Sequence, residues 1–214
     1  AFDIGANVGG FCVHAHKNFD KIYAFEPVIE NYNILCQVLD HMNIKNVEVF
    51  NTAVYSESNK VLPLRVYNGN HTKDVTCADF ENGDTKYIDQ QCETISLKDA
   101  ILALNLEKID YLKLDCEGSE YAILENFNDY DKIDVICMEI HQFYGLERKN
   151  NLLKMLRNFY HLTDINKKGS HVFATDITEE KENVNNVDKC EKYDNIFMIN
   201  KNLGGTYVIE RPLE

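Results

Sequence analysis

Short apolar runs alternate with amphipathic stretches along most of this 214-residue chain, and no other feature constrains its fold as strongly. The apolar runs are typical of buried strands, whereas apolar residues three or four positions apart, as between Ile29 and Met42, mark one face of a helix. Strands that alternate with helices form a mostly parallel sheet with helices on both faces. The chain is therefore predicted to be an α/β protein.

The order of these segments places the individual elements. Predicted strands cover residues 2–3, 22–25, 47–54, 61–67, 110–114, 133–140, 171–175 and 195–199, and predicted helices cover 11–18, 29–42, 96–104, 119–126 and 149–160. Pro63 favours an edge position for the strand at 61–67, because proline donates no ladder hydrogen bond. We expect one domain over residues 1–214 that starts within its first strand and is therefore N-terminally truncated.

Two polar segments, residues 68–91 and 176–193, interrupt the alternation. Loops of this length are uncommon unless they are functional or disordered. We expect 68–91 to be a variable loop that helps to form a substrate pocket, with His71 as a substrate-binding candidate. We expect 176–193 to be a polar surface loop.

The strongest local motif is the glycine-rich segment Asp-Ile-Gly-Ala-Asn-Val-Gly-Gly at residues 3–10, between the first strand and the first helix. Glycines permit a tight turn and close approach of a ligand, and the helix N-terminus offers free N–H groups. Glu26 ends the second strand, 21 residues after Gly5, where an acid can bind both hydroxyls of a ribose. This pairing predicts a cofactor that contains adenosine.

Asn7 decides between the adenosine cofactors. A dinucleotide turn needs glycine at this position so that the pyrophosphate can approach, and an Asn side chain would crowd it. A cofactor without phosphates has no such need, and Asp3 can face the ammonium of a methionine-like tail. We therefore predict S-adenosylmethionine. An NAD(P)-dependent oxidoreductase and a glycine-rich turn without a ligand remain the alternatives.

Polar residues also follow the ends of two later strands. Asp115 and Glu117 follow one strand, and Glu139 and His141 end the next. These strand ends share the edge of the sheet at which ligands bind. An alcohol acceptor must lose a proton, so a general base should lie there. Asp115, Glu117 and His141 are the catalytic candidates, and Glu139 is a candidate for substrate binding.

Other roles for these residues compete with catalysis. An acid such as Glu120 also favours a helix N-terminus, and a single histidine at a strand end is often structural. Mg²⁺ held by Asp115, Glu117 and Glu139 is a further alternative, since this ion prefers oxygen ligands. Our prediction is a site without a metal.

Charge and cysteine content bear on partners and location. The chain carries 22 Lys and Arg against 35 Asp and Glu, a net charge of −13, and it has no basic stripe for nucleic acid. A neutral hydroxylated acceptor, such as a sugar, fits better. Seven cysteines without a C-x-x-C pair predict reduced thiols and a cytoplasmic location. No apolar run is long enough to span a membrane.

Four segments in this order resemble the FkbM family of methyltransferases. The family carries D-x-G-A-N-x-G, Y-A-F-E-P, K-x-D-x-E-G-x-E-Y and E-x-H motifs, which match residues 3–9, 23–27, 113–121 and 139–141. The resemblance implies a three-layer Rossmann-like class I methyltransferase fold, with a mostly parallel seven-stranded sheet and an antiparallel last strand.

The resemblance also implies O-methylation of a hydroxyl group on a sugar, glycan or other small molecule. A non-catalytic domain that binds S-adenosylmethionine or a substrate is the alternative from another class. The residues predicted to bind the cofactor are Asp3, Gly5, Asn7, Gly9, Glu26, Asn51 and Ala53.

Overall fold

A computed structural model describes residues 1–67, 75–76, 87–141, 144–164, 173–174, 193–202 and 207–208. Its strands are β1 (Phe2–Ile4), β2 (Ile22–Phe25), β3 (Val47–Phe50), β4 (Ala53–Tyr55), β5 (Val61–Tyr67), β6 (Val75–Thr76), β7 (Tyr87–Ser96), β8 (Ile109–Leu114), β9 (Ile133–His141), β10 (Tyr160–Asp164), β11 (Phe173–Ala174), β12 (Tyr193–Asn200) and β13 (Tyr207–Val208). Its α-helices are α1 (Gly10–Ala15), α2 (Ile29–His41), α3 (Leu97–Ala103), α4 (Glu120–Glu125) and α5 (Gly145–Leu156), and short 3₁₀ turns cover His16–Asn18 and Tyr130–Lys132.

Seven of these strands form the central sheet in the order β10-β12-β9-β8-β1-β2-β3. β1 pairs in parallel with β2 and with β8, and β12 is antiparallel to both of its neighbours, β9 and β10. The predicted mostly parallel seven-stranded sheet with an antiparallel last strand is therefore confirmed. Strand order reverses between β1 and β8, and the carboxyl ends of strands at such a point form a ligand crevice.

Alternation along β2 shows how the layers form. Ile22 and Ala24 pack with Cys12 of α1 and Leu35 of α2, whereas Phe25 packs in a second cluster with α3, α4 and α5. Successive side chains of a strand point to opposite faces. Helices therefore cover both faces of the sheet, and the five cysteines described in the structure are free thiols.

A second sheet, β4-β7-β5-β6, corrects two predictions. The predicted strand at 47–54 is two strands, because β3 ends at Phe50 and β4 pairs in parallel with β7 instead. β7 begins at Tyr87, inside the predicted 68–91 loop; polar Asp89, Gln90 and Gln91 weaken its apolar pattern. Pro63 lies opposite Gln91 of β7, whereas the pairing with β6 covers only Arg65 and Val66.

The C-terminal part of the sheet also differs from the prediction. Its first closing strand is β10, not 171–175, and Phe173–Ala174 pairs with β13 outside the main sheet. Tyr160 was predicted to end a helix, but it is buried in β10, where its hydroxyl donates to the carbonyls of Tyr130 and Ile133. Residues 176–192 of the predicted surface loop lie outside the described residues. No helix among the described residues is long and apolar enough to cross a membrane.

Candidate active site at the switch point of the sheet

A cavity of about 300 Å³ opens at the carboxyl ends of β1, β2 and β8. It brings together residues that the sequence assigned to two different roles. The predicted cofactor residues that line it are Gly5, Asn7, Glu26 and Ala53, and the predicted catalytic residues that line it are Asp115 and Glu117. Lys113, which the sequence analysis did not select, lies between the two groups.

Gly5 allows the turn after β1 to approach the end of β8. Its φ is +77°, and a Cβ atom there would lie 1.9 Å from the backbone oxygen of Asp115. The two segments are also joined by a hydrogen bond of 3.1 Å from the Asp115 N–H to the Ile4 carbonyl. Any larger residue at position 5 would push these strand ends apart.

Gly9 serves packing in this structure. Its φ is +95°, and an added Cβ would lie 2.3 Å from Cδ1 of Leu35 in α2. Gly9 does not line the cavity in the described part of the chain. The close contact of Gly9, just before α1, with Leu35 of α2 therefore explains why a glycine is present at position 9.

Asn7 and Glu26 form one hydrogen-bonded unit. The Asn7 N–H donates to Oε2 of Glu26 at 2.8 Å, and the Val28 N–H donates to Oε1 at 2.9 Å. Burial raises the pKa of the Glu26 carboxyl, and the N–H groups of Val28 and Asn7 oppose that rise. Oδ1 of Asn7 is buried and has no hydrogen-bond partner among the described residues.

Asn51 and Ala53 lie beside this unit. Nδ2 of Asn51 donates to the backbone carbonyls of Glu26 (2.9 Å) and Pro27 (3.0 Å), so Asn51 holds the turn after β2. It does not line the cavity in the described part of the chain, whereas Ala53 and Val54 do.

Asp3 is paired with other side chains of the protein. Its side chain is fully buried, Oδ2 accepts from Sγ of Cys12 at 3.3 Å, and Oδ1 lies 3.1 Å from Nζ of Lys113. Asp3 does not line the described cavity wall. A buried carboxylate needs a nearby cation, and Lys113 provides one; contact between Asp3 and the ammonium of a cofactor stays a prediction.

Lys113 connects the two halves of the cavity. Its Nζ donates to the carbonyl of Gly5 at 3.0 Å and lies 3.6 Å from Oδ2 of Asp115. Burial alone would lower the pKa of Lys113, but the charges of Asp3 and Asp115 outweigh burial and raise it. The sequence did contain a signal, because a lysine between the fully buried Leu112 and Leu114 needs an internal partner.

His141, at the end of β9, lies between two carboxylates. Its Nε2 is 3.1 Å from Oε2 of Glu117, and its Nδ1 is 3.1 Å from Oε1 of Glu120. Burial lowers the pKa of His141, but the hydrogen bonds to Glu117 and Glu120 outweigh it and raise the pKa to about 10. The two carboxylates fix the orientation of the His141 ring, and its assignment as the general base stays a prediction.

Glu120 is more than a helix-terminal acid. It is fully buried, and its Oε1 also accepts a hydrogen bond of 3.0 Å from the Cys116 N–H. Its Oε2 is buried without a hydrogen-bond partner among the described residues. Glu120 therefore orients His141, a function that its place in the sequence did not reveal.

Asp115 and Glu139 lie in the field of this cluster. Burial raises the pKa of Asp115, and the charge of Glu117 raises it further. The positive charges of Lys113 and His141 lower it. Burial and then Asp115 raise the pKa of Glu139, which precedes His141 by two residues and so shares its side of β9. Glu139 does not line the described cavity, and His71 lies outside the described residues.

Asp115, Glu117 and His141 also have the spacing of a metal-ligand set. One possible ligand atom from each lies within 4.8 Å of the others. The magnesium alternative drawn from the sequence contained Glu139 as the third residue. In the structure, His141 and not Glu139 is the third residue of the set with Asp115 and Glu117.

Comparisons with known proteins agree with this architecture. A family model described as "Methyltransferase FkbM domain" matches residues 3–172. The comparison with curated proteins found no sequence match.

Two of the similar solved structures, with TM-scores of 0.51 and 0.50, show the same fold. Methyltransferase FkbM from Methylobacillus flagellatus is 14% identical with a TM-score of 0.51, and the alignment covers 92% of this chain and 42% of that one. A Streptococcus mutans protein assigned as a methyltransferase, in complex with SAH, is 9% identical with a TM-score of 0.50, covering 93% and 86%. An rRNA methylase from Streptococcus thermophilus is 10% identical with a TM-score of 0.48, covering 93% and 84%. This chain thus spans less than half of the Methylobacillus protein.

The family match covers most of the chain and all four motifs that carried the resemblance. The sheet order of the structure is that of a Rossmann-like class I methyltransferase. The expected cofactor, S-adenosylmethionine, is confirmed by the family match. The chain belongs to the FkbM family of S-adenosylmethionine-dependent methyltransferases.

Proposed function

We propose that this protein transfers a methyl group from S-adenosylmethionine to a hydroxyl oxygen of a sugar, glycan or other small molecule. The observation that carries the proposal is the shared cavity: Glu26 and Asn7 line one side of it, and Asp115 and Glu117 line the other. A cofactor held on the first side would present its reactive end to the carboxylates of the second.

The first side has groups that suit the cofactor. Oε2 of Glu26 accepts the Asn7 N–H, whereas Oε1 accepts the Val28 N–H and, at 3.5 Å, Nδ2 of Asn31. An ionised carboxylate oxygen such as Oε2 can accept a further hydrogen bond from a ribose hydroxyl. The unpartnered Oδ1 of Asn7 offers a buried acceptor for a donor group of the ligand. Glu26 is already held in place by backbone groups, so ligand binding would not have to order it.

The second side suits an uncharged acceptor. Asp115 and Glu117 line the cavity, and Glu139 lies in the electrostatic field of Asp115. Carboxylates repel phosphate groups, and the net charge of the chain is −13. These charges favour a neutral hydroxylated molecule over a polyanion.

The chain's own residues position the acceptor and receive its proton. When bound, S-adenosylmethionine supplies a methyl group activated by the positive sulfur. The acceptor oxygen would take this methyl group with release of neutral S-adenosylhomocysteine, and Asp115 or Glu117 would receive the proton of the acceptor hydroxyl. Burial raises the pKa of Asp115, which makes its carboxylate a better base. Holding both reactants at near-attack distance contributes up to about 7–11 kcal/mol in well-oriented systems.

Calorimetric titration tests the donor side of the proposal. We expect S-adenosylhomocysteine to bind and NAD to show no heat of binding. Tight NAD binding would instead favour the oxidoreductase alternative.

A transfer assay with labelled S-adenosylmethionine tests the acceptor side. The panel should contain sugars, glycans, small alcohols, lipids and an RNA. We expect label on a neutral hydroxyl compound, with turnover reduced in Asp115→Asn and Glu117→Gln. Label on RNA would overturn the proposed acceptor class, and donor binding without any transfer would favour a non-catalytic binding domain.

A further inference from the structure

We propose that Asp115, Glu117 and His141 bind one divalent cation of the Mg²⁺ or Mn²⁺ type, with Nε2 of His141 as the nitrogen ligand. The role of this ion in methyl transfer rests on the proposed function. The binding site itself rests only on the arrangement of the side chains.

The ligand atoms are spaced for a small cation. Nε2 of His141 lies 3.1 Å from Oε2 of Glu117, and donor atoms of all three residues lie within 4.8 Å of one another. Adjacent ligands of an octahedral ion with bonds of about 2.0–2.1 Å are separated by about 3 Å. The 3.1 Å between Nε2 and Oε2 is therefore the separation of two adjacent ligands of one ion.

Glu120 is not one of the three proposed ligands, and it gives independent support for the metal site. Its Oε1 contacts Nδ1 of His141 at 3.1 Å, which directs Nε2 toward Glu117. Histidines that bind metals almost always donate their other ring N–H to a carboxylate or carbonyl in this way. The Glu120 carboxylate is fully buried, and its Oε2 has no hydrogen-bond partner among the described residues. Such a buried negative charge is stabilised by additional positive charge nearby.

The charges around the site point in the same direction. The negative charges of Glu117 and Glu120 act on both Asp115 and Glu139, and the charge of Asp115 also acts on Glu139. Among the described residues, His141 and Lys113 are the cations that act on Asp115, and Lys113 also pairs with the fully buried Asp3. A bound divalent cation would offset the excess of negative charge.

The donor set identifies the class of ion and its use. Two carboxylates and one imidazole leave coordination positions open, and carboxylates suit Mg²⁺ and Mn²⁺. An acceptor hydroxyl bound at an open position loses its proton to solvent water more readily, because the cation stabilises the alkoxide. Asp115 and Glu117 would then act as ligands, and the ion would replace them as the agent that activates the hydroxyl.

Mn²⁺ titration followed by electron paramagnetic resonance tests the site in the full chain. We expect one Mn²⁺ per chain, displaced by excess Mg²⁺. Glu117→Gln removes a ligand charge at a partly exposed position and should weaken Mn²⁺ binding at least about tenfold, and Glu120→Gln should weaken it about 10–100-fold through His141. Asp110→Asn is the matched control, because Asp110 is an exposed acid on β8 and should leave Mn²⁺ affinity unchanged.

The outcomes separate this proposal from the proposed function. Circular dichroism should first show that each variant is folded. Absence of a bound Mn²⁺ in the wild type, or equal affinity in wild type and Glu117→Gln, would overturn the metal site even if S-adenosylhomocysteine still binds. Loss of Mn²⁺ affinity in Glu117→Gln and Glu120→Gln, but not in Asp110→Asn, supports the metal site even if no acceptor is methylated.

Discussion

The two sides of the cavity are built in different ways. On the β1–β2 side, the contacts are mainly made by the backbone. Gly5 permits the turn after β1 to approach the Asp115 backbone, and the N–H groups of Asn7 and Val28 hold the Glu26 carboxylate. On the β8–β9 side, charged side chains hold one another, as His141 does between Glu117 and Glu120. The first side should therefore respond mainly to changes in shape, and the second mainly to changes in charge.

Lys113 belongs to both sides, and its loss should have the largest effect. Lys113→Met leaves the fully buried Asp3 without its cation, and breaking a buried pair typically costs about 3–5 kcal/mol. Urea unfolding measures this change in the free energy of unfolding. The exposed Lys108→Met is the control, with an expected cost of about 0–1 kcal/mol.

Adding Asp3→Asn to Lys113→Met should recover part of the lost stability, because the unpaired charge is then removed. If the double variant is no more stable than Lys113→Met alone, the buried ion pair is not the source of the loss.

Gly5→Ala tests the dependence of the first side on shape. The added Cβ meets the Asp115 carbonyl at 1.9 Å on a backbone with φ of +77°, so we expect a loss of about 2–4 kcal/mol and of S-adenosylhomocysteine binding. Gly10→Ala is the control, since a Cβ at Gly10 has no neighbour within 4 Å among the residues that the structure describes. Equal stability of the two variants would contradict the close approach.

The pH dependence of stability tests the role of charge on the second side. The folded pKa of His141, about 10, exceeds its usual value of 6.5. Its contribution is therefore fully present below pH 6.5 and is lost as the pH rises through 10. With a chelator present, the difference in unfolding free energy between wild type and His141→Gln should shrink by roughly 1–3 kcal/mol over that range. A difference that does not change with pH would show that His141 is uncharged.

Glu26→Gln should have the smallest effect. The amide keeps the shape of the side chain but loses the charge and one of the two acceptors for the N–H groups of Asn7 and Val28, so we expect the affinity for S-adenosylhomocysteine to fall about tenfold, measured by calorimetry. Glu48→Gln changes an exposed acid on β3 and is the control. Unchanged affinity in Glu26→Gln would show that Glu26 does not bind the ribose.

The same contrast explains what could be predicted from the sequence. Gly5, Asn7 and Glu26 follow a local motif, and the structure places all three at one cavity. The roles of Glu120 and Lys113 depend on partners distant in sequence: Glu120 acts on His141, 21 residues later, and Lys113 on Gly5, 108 residues earlier. No spacing rule reveals such contacts before the strands are in register.

The misplaced strands have a similar cause. The polar residues of β7 pair along the whole of β5, so its strand conformation depends on a partner and not on its own apolar pattern. Tyr160 continues the apolar spacing of α5, but its hydroxyl finds carbonyl partners only in β10. Tertiary hydrogen bonds determined both elements.

The contacts of Lys113 have a consequence for how new acceptor specificities arise. The Lys113 ammonium group contacts both the carbonyl of Gly5, in the turn after β1, and the carboxylate of Asp115. A substitution that alters the charge at Asp115 therefore also changes the position or strength of the hydrogen bond from Lys113 to the Gly5 carbonyl. Under the proposed function, Lys113 would link donor affinity to acceptor preference thermodynamically, and the two should change together as relatives diverge.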